Sequence, residues 1–173
     1  QITELLARLK SAGNSEYDQE ILEILAEARS FTLRKSVLDY FRESGFKNAG
    51  TEALDLVRNR FDIPRDLAES AFSYLVSHPV ADSVPVALEI LNNQEDSFML
   101  QAVRLLGANS WKEADGLLVE LYQDSTTKTA LKEQILLTLG DLATDASYKL
   151  FAELLDQDTA SRIEKMYSVT GLG

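Results

Sequence analysis

Apolar residues recur three and four positions apart along this chain, in short blocks that end at a glycine, a proline or a knot of small polar residues. That spacing is the mark of amphipathic helices joined by tight turns. In the first block Ile2, Leu5, Leu6 and Leu9 share a face; Ser11 to Asn14 breaks it, with Gly13 suited to a left-handed cap. Ser15 then opens a helix carrying Ile21, Leu22, Ile24, Leu25 and Ala28. Leu33, Val37, Leu38 and Phe41 follow and stop at Gly45, with Lys35 and Asp39 one turn apart on the outer side. Asn48 or Thr51 is the expected cap of the next helix, with Ala53, Leu54, Val57 and Phe61 as its apolar positions. Pro64 suits the first turn of a helix that buries Leu67, Ala68, Ala71, Phe72 and Leu75, and His78 with Pro79 ends it. Asp82 or Ser83 caps the sixth, which has Pro85 in its first turn and Val86, Leu88, Ile90 and Leu91 inside.

The second half is more regular. Ser97 opens a helix through Met99, Ala102, Val103 and Leu106 to Gly107, and Ser110 with Glu113 reads as a capping box before Leu117, Leu118 and Leu121. Thr126 or Thr127 starts the next, through Leu131, Ile135, Leu136 and Leu139 to Gly140. Asp145 begins one with Leu150, Phe151, Leu154 and Leu155, and Thr159 caps the last, with Ile163, Met166 and Val169. About eleven helices and almost no strand are expected. Leu117, Leu118, Leu121 and Tyr122 stand at the same offsets from Gly107 as Leu150, Phe151, Leu154 and Leu155 from Gly140, a period of 33 residues. Glycines at 13, 45, 107, 140 and 171 close the first helix of successive pairs. The chain is thus predicted to be all-α, five helix pairs and a trailing helix stacked as a solenoid over residues 1–173, without a linker or composition break.

These residues resemble a HEAT-repeat array, and in particular the short repeats common in bacterial proteins. A run ending in Leu-Gly (Leu106 and Gly107; Leu139 and Gly140) is followed by a second helix ending in Leu-Leu and an acid (Leu117, Leu118 and Asp124; Leu154, Leu155 and Asp156). Arg34, Lys132 and Arg162 fit the basic residue the family places early in the first helix of a pair, whereas residues 64–92 lack both the glycine and the base. The resemblance implies a right-handed superhelix whose second helices line an inner surface, and a non-enzymatic scaffold that holds another protein. An alternative implied by the same resemblance is a HEAT-repeat enzyme or enzyme subunit, such as a bilin lyase-like protein.

Composition narrows the chemistry. The chain has no cysteine and a single histidine, His78, which leaves no thiolate site, no cysteine-ligated metal and no pair of imidazoles. No catalytic, cofactor or metal residues are assigned. A net charge of −11 opposes phosphate backbones, so a nucleic-acid partner is not expected, and no apolar run reaches the length of a membrane span. Charge is nevertheless uneven: from Arg29 to Arg65 there are eight basic residues against five acids, and between Arg65 and Arg104 six acids and no base. The lack of cysteine and of a starting methionine leans towards an exported, periplasmic bacterial protein, with the cytoplasm as the other setting.

The candidate partner-binding residues are Trp111, Tyr122, Tyr148, Tyr74, Arg34 and Arg42. Trp111 stands at a repeat edge, where an aromatic serves as an interface anchor or as a staple on the turn. Tyr122 and Tyr148 are expected as half-buried edge residues, Tyr74 lies in the acidic section, and Arg34 and Arg42 lie in the basic one. Ile163, Met166, Tyr167 and Val169 at one end, and Ile2, Leu5, Leu6 and Leu9 at the other, lack a polar helix to cover them. The expectation is a piece of a longer array, or ends that associate with another copy.

Overall fold

The computed structural model describes residues 4–6, 8–9, 16–157 and 160–172, Leu172 by its backbone alone. Every regular element among them is helical. After helical residues 4–6 and 8–9 come α1 (Asp18–Glu27), α2 (Phe31–Ser44), α3 (Gly50–Arg58), α4 (Arg65–Ser77), α5 (Val84–Asn92), α6 (Met99–Ala108), α7 (Asp115–Gln123), α8 (Thr129–Leu142), α9 (Asp145–Asp156) and α10 (Arg162–Leu172). Single turns of 3-10 helix, Ala81–Ser83 and Lys112–Ala114, lead into α5 and α7. No described helix is long and apolar enough to cross a membrane. The chain forms two compact units, Gln1–Val86 and Ala87–Gly173.

In the first unit α2 packs on α1 and α4, and α3 packs on α4. Leu25, Val37, Leu38, Phe41, Val57, Leu67 and Phe72 form its interior. Two tyrosines fix the helices to one another. The Tyr40 hydroxyl of α2 donates to Asp18 Oδ1 of α1 at 2.7 Å, and burial, followed by that carboxylate, pushes the phenol up to about 12. Tyr74 of α4 is fully buried; its hydroxyl donates to the carbonyl of Phe46 at 2.7 Å and accepts from the Ala49 amide at 3.1 Å. That bond supplies the start of α3, which neither Asn48 nor Thr51 caps. Asp39 accepts from Lys35 at 2.7 Å, as its spacing predicts, and also from the Ser70 hydroxyl at 3.0 Å. Phe61 departs from expectation: α3 ends at Arg58, Phe61 is 69% exposed, and the neighbouring Arg60 is buried with its guanidinium 4.8 Å from the Phe61 ring centre.

The second unit shows one packing rule twice. α6 lies on α8 and α8 on α10, while α7 packs on α8 and α9, and α9 on α10. First helices therefore stack on first helices, and second on second. The glycines of the 33-residue period make this possible, and not by ending helices as expected. Gly107 and Gly140 lie inside α6 and α8, and Gly171 lies inside α10. A Cβ on Gly107 would stand 3.1 Å from Thr138 Cγ2, one on Gly140 would stand 3.8 Å from the Gly171 Cα, and one on Gly171 would collide with the Phe151 ring. At Gly107 and Gly171 the close approach of a side chain from a neighbouring helix outweighs the roughly 0.5–1 kcal/mol that glycine costs a helix interior, while at Gly140 the contact is an ordinary one. The turn to left-handed backbone comes three residues later, at Ser110 (φ 51°) and Ala143 (φ 49°). At the first of these, Ser110 and Trp111 amides donate back to Gly107 and Leu106 at 2.9 and 3.0 Å. Among the described closing glycines Gly45 alone is a left-handed cap, at φ 80°.

The other caps shift as well. The Ser110 to Glu113 box is not formed, because Ser110 still belongs to the end of α6. Boxes form instead at Thr144 with Ser147 and at Ser161 with Glu164. Ser97 gives way to Phe98 at the start of α6, and Lys128 stands before α8 in place of Thr126 or Thr127. Gly13 and Thr159 lie outside the described residues.

Tyr74→Phe removes both hydrogen bonds that hold the start of α3 and is expected to lower stability by about 1–3 kcal/mol in urea unfolding. Ala143→Gly relieves a left-handed alanine and should raise stability by up to about 1 kcal/mol in the same assay.

Candidate functional site

The second unit has a cleft of about 360 Å³ where the start of α6, the end of α7 and the start of α8 meet. The amphipathic registers of the three helices put Met99, Leu100, Leu121 and Leu131 at its floor. The connection from α7 to α8 forms its rim. Asp124 ends α7 in an extended conformation, and its Oδ1 accepts the Thr126 amide and the Thr126 hydroxyl, each at 2.8 Å. Those two bonds hold the Asp124 carboxyl below its usual range. Lys128 reaches from the start of α8 to Asp96 Oδ2 at 2.9 Å, tying the connection before α6 to the one before α8. Both side chains are exposed, so the pair positions the rim more than it stabilises the fold.

A second hollow of about 300 Å³, lined in part by Lys132, lies at the ends of α7 and α9 and the start of α10. Here the Tyr122 hydroxyl donates to Glu164 Oε1 at 2.6 Å. Glu164 Oε2 accepts the Ser161 amide at 2.6 Å, and the Glu164 amide donates to Ser161 Oγ at 3.2 Å, closing a capping box on α10. Lys132 Nζ stands 5.4 Å from the centre of the Tyr122 ring. The Tyr122 bond, then Ser161 and the charge of Lys132, hold the Glu164 carboxyl below its ordinary value against the opposing effect of burial. Burial first, and the carboxylate second, push the Tyr122 phenol well above its own. The network locks α7 to α10 and keeps this edge rigid.

Of the expected site residues, Tyr122 alone lines either hollow, and it is buried at 6% exposure with its hydroxyl committed, not a half-buried edge residue. Tyr74 is an internal cap in the first unit and presents nothing to a partner. Arg34 Nε donates to the Leu25 carbonyl in the last turn of α1 at 3.0 Å, which makes it a helix-end clamp. Arg42 lies 3.5 Å from Glu43. Half of the basic section pairs with acids on the spot, since Lys35, Arg58 and Arg65 also pair with Asp39, Asp55 and Glu69. Trp111 is 38% exposed in the turn between α6 and α7, and Tyr148 is 40% exposed in α9; both remain open to contact. Sequence reasoning missed Asp96, Asp124 and Lys128, although an Asp-x-Thr turn before a helix is a legible signal in itself.

In chemical terms the cleft offers an apolar floor under two carboxylates and a lysine, which suits holding a side chain more than making or breaking bonds. Among the described residues no three His, Asp or Glu side chains are grouped to hold a metal ion. The sequence matches none of the protein-family models and none of the curated proteins with which it was compared.

Tyr122→Phe is expected to cost about 1 kcal/mol at pH 7, discounted because Glu164 is partly open to water. The folded Glu164 value is depressed, so its contribution is complete above the ordinary glutamate value, about 4.3, and is lost as pH falls through the lower folded value. Stability of the wild type should therefore fall more steeply below pH 4 than that of Tyr122→Phe, with the two curves converging in acid. Parallel curves down to pH 2 would contradict the lock.

Proposed function

We propose that the chain is a right-handed solenoid of HEAT-like helix pairs and that it serves as a non-enzymatic scaffold for another protein. What supports the architecture is the repeated stacking of α6 on α8 on α10, with glycines at 107 and 140 receiving Thr138 and Gly171 in the same 33-residue register. What supports the work is the edge of the second unit. A cleft whose apolar floor lies open under a fixed polar rim is preformed, so a partner loses little to ordering it. The mixed rim favours a protein segment that inserts an aliphatic side chain between Asp124 and Lys128, while the net charge of −11 works against nucleic acid.

The test is capture from an extract of the source cell with the full chain immobilised, compared with Leu121→Glu, which places a carboxylate in the cleft floor. A stoichiometric protein held by the wild type and lost from Leu121→Glu, with circular dichroism unchanged, is the expected result. Retention of the same proteins by both forms removes the cleft from the reading, and tight binding of duplex DNA at low salt would overturn the reading as a whole.

A further inference from the structure

One carboxylate oxygen at the mouth of the cleft between α6, α7 and α8 has no donor among the described residues. Asp124 ends α7, and both bonds it accepts, from the Thr126 amide and the Thr126 hydroxyl, go to Oδ1 at 2.8 Å, which leaves Oδ2 open. The turn closed by those bonds fixes the carboxylate in place, and the same bonds keep it ionised at neutral pH. The nearby cations are engaged elsewhere. Lys128 Nζ lies 2.9 Å from Asp96 Oδ2, so the other two charges of the rim offset each other. Lys132, the least of the influences on the Asp124 carboxyl, stands over the Tyr122 ring and lines the other hollow. What remains at the rim is one negative charge beside a floor of Met99, Leu100, Leu121 and Leu131. The surroundings have the same sign, since residues 87–173 carry fourteen acids against seven basic residues.

Resting on the reading of this cleft as a protein-binding site, we infer that its occupant is a lysine side chain of the partner, with the four-carbon stem on the apolar floor and the ammonium at Asp124 Oδ2. A lysine buries its methylenes along apolar surface while its charged end stays in water, and an apolar floor under an exposed carboxylate offers both places at once. An uncharged aliphatic chain fills the floor and makes no use of Oδ2. Arginine fits less well. Its planar fork is built for two parallel bonds to a carboxylate, and here one of the two oxygens is taken by Thr126; an ammonium is a point charge that needs one acceptor. The volume of about 360 Å³ lies at the low end of the roughly 300–1,000 Å³ of small-ligand sites, which suits one long side chain and is too small for a helix.

The probes are Nα-acetyl-lysine methylamide and its norleucine and arginine counterparts, titrated into the full chain at equal ionic strength and followed by the methyl NMR signals of Leu100, Leu121 and Leu131. The lysine compound is expected to bind about threefold more tightly than the norleucine compound, the modest gain of one exposed charge pair, and more tightly than the arginine compound. Asp124→Asn keeps an oxygen for Thr126 and puts an amide donor where Oδ2 stood. It should bring the lysine compound down to the level of the norleucine compound, whose binding reports that the cleft still forms. Equal binding of the lysine and norleucine compounds to the wild type overturns the inference and leaves the cleft as an aliphatic site. Arginine binding as tightly as lysine overturns it too, as does a lysine preference that survives Asp124→Asn, which traces to the overall charge. Shifts at none of the three leucines with any probe would overturn the inference together with the reading of the cleft on which it rests.

Discussion

How closely two helix backbones can approach governs the second unit. α8 must touch α6 on one side and α10 on the other, and both crossings are made where a side chain is missing or small. At Gly107 the space a Cβ would fill is already pressed by Thr138, so the distance between those helices is set by a methyl group and a hydroxyl. With that spacing, Val103, Ile135, Leu136 and Leu139 are buried. The cleft follows too: its walls are the ends of helices whose separation the crossings have already decided.

The helical blocks were legible because burial on one side of a helix leaves a period that composition cannot hide. Residues such as Leu38, Phe41, Leu67, Phe72, Leu118 and Phe151 lie inside as their spacing implies. The ends of helices were less legible. Glycine is the usual residue at a left-handed cap, yet here Ser110 and Ala143 take that conformation while Gly107 and Gly140 stay helical, and at Gly107 a neighbouring helix needs the room. Local propensity and tertiary packing competed for the same residue type, and packing won.

The site was legible only in outline. Tyr122 and Tyr74 stand out in sequence as aromatics that anchor a partner, but each hydroxyl found its acceptor within the fold, Glu164 forty-two residues away and the Phe46 carbonyl twenty-eight residues back. Arg34 likewise turns inward to a backbone carbonyl. No local pattern announces bonds of such range. The cleft rim was hidden for the opposite reason: Asp96, Asp124 and Lys128 look like ordinary solvated residues until three helix ends bring them together.

The bond from Tyr74 also bears on how the first unit comes apart. In the connection between α2 and α3 the Phe46 carbonyl and the Ala49 amide are satisfied by a side chain of α4, while the Phe46 amide turns back to the Phe41 carbonyl. Opening that connection to water therefore requires α4 to withdraw, and withdrawing α4 uncovers both α2 and α3, on which it packs. A stretch that by its length and lack of secondary structure would fray early is bound into the same cooperative opening as the interior, so α2, α3 and α4 exchange with solvent as one body.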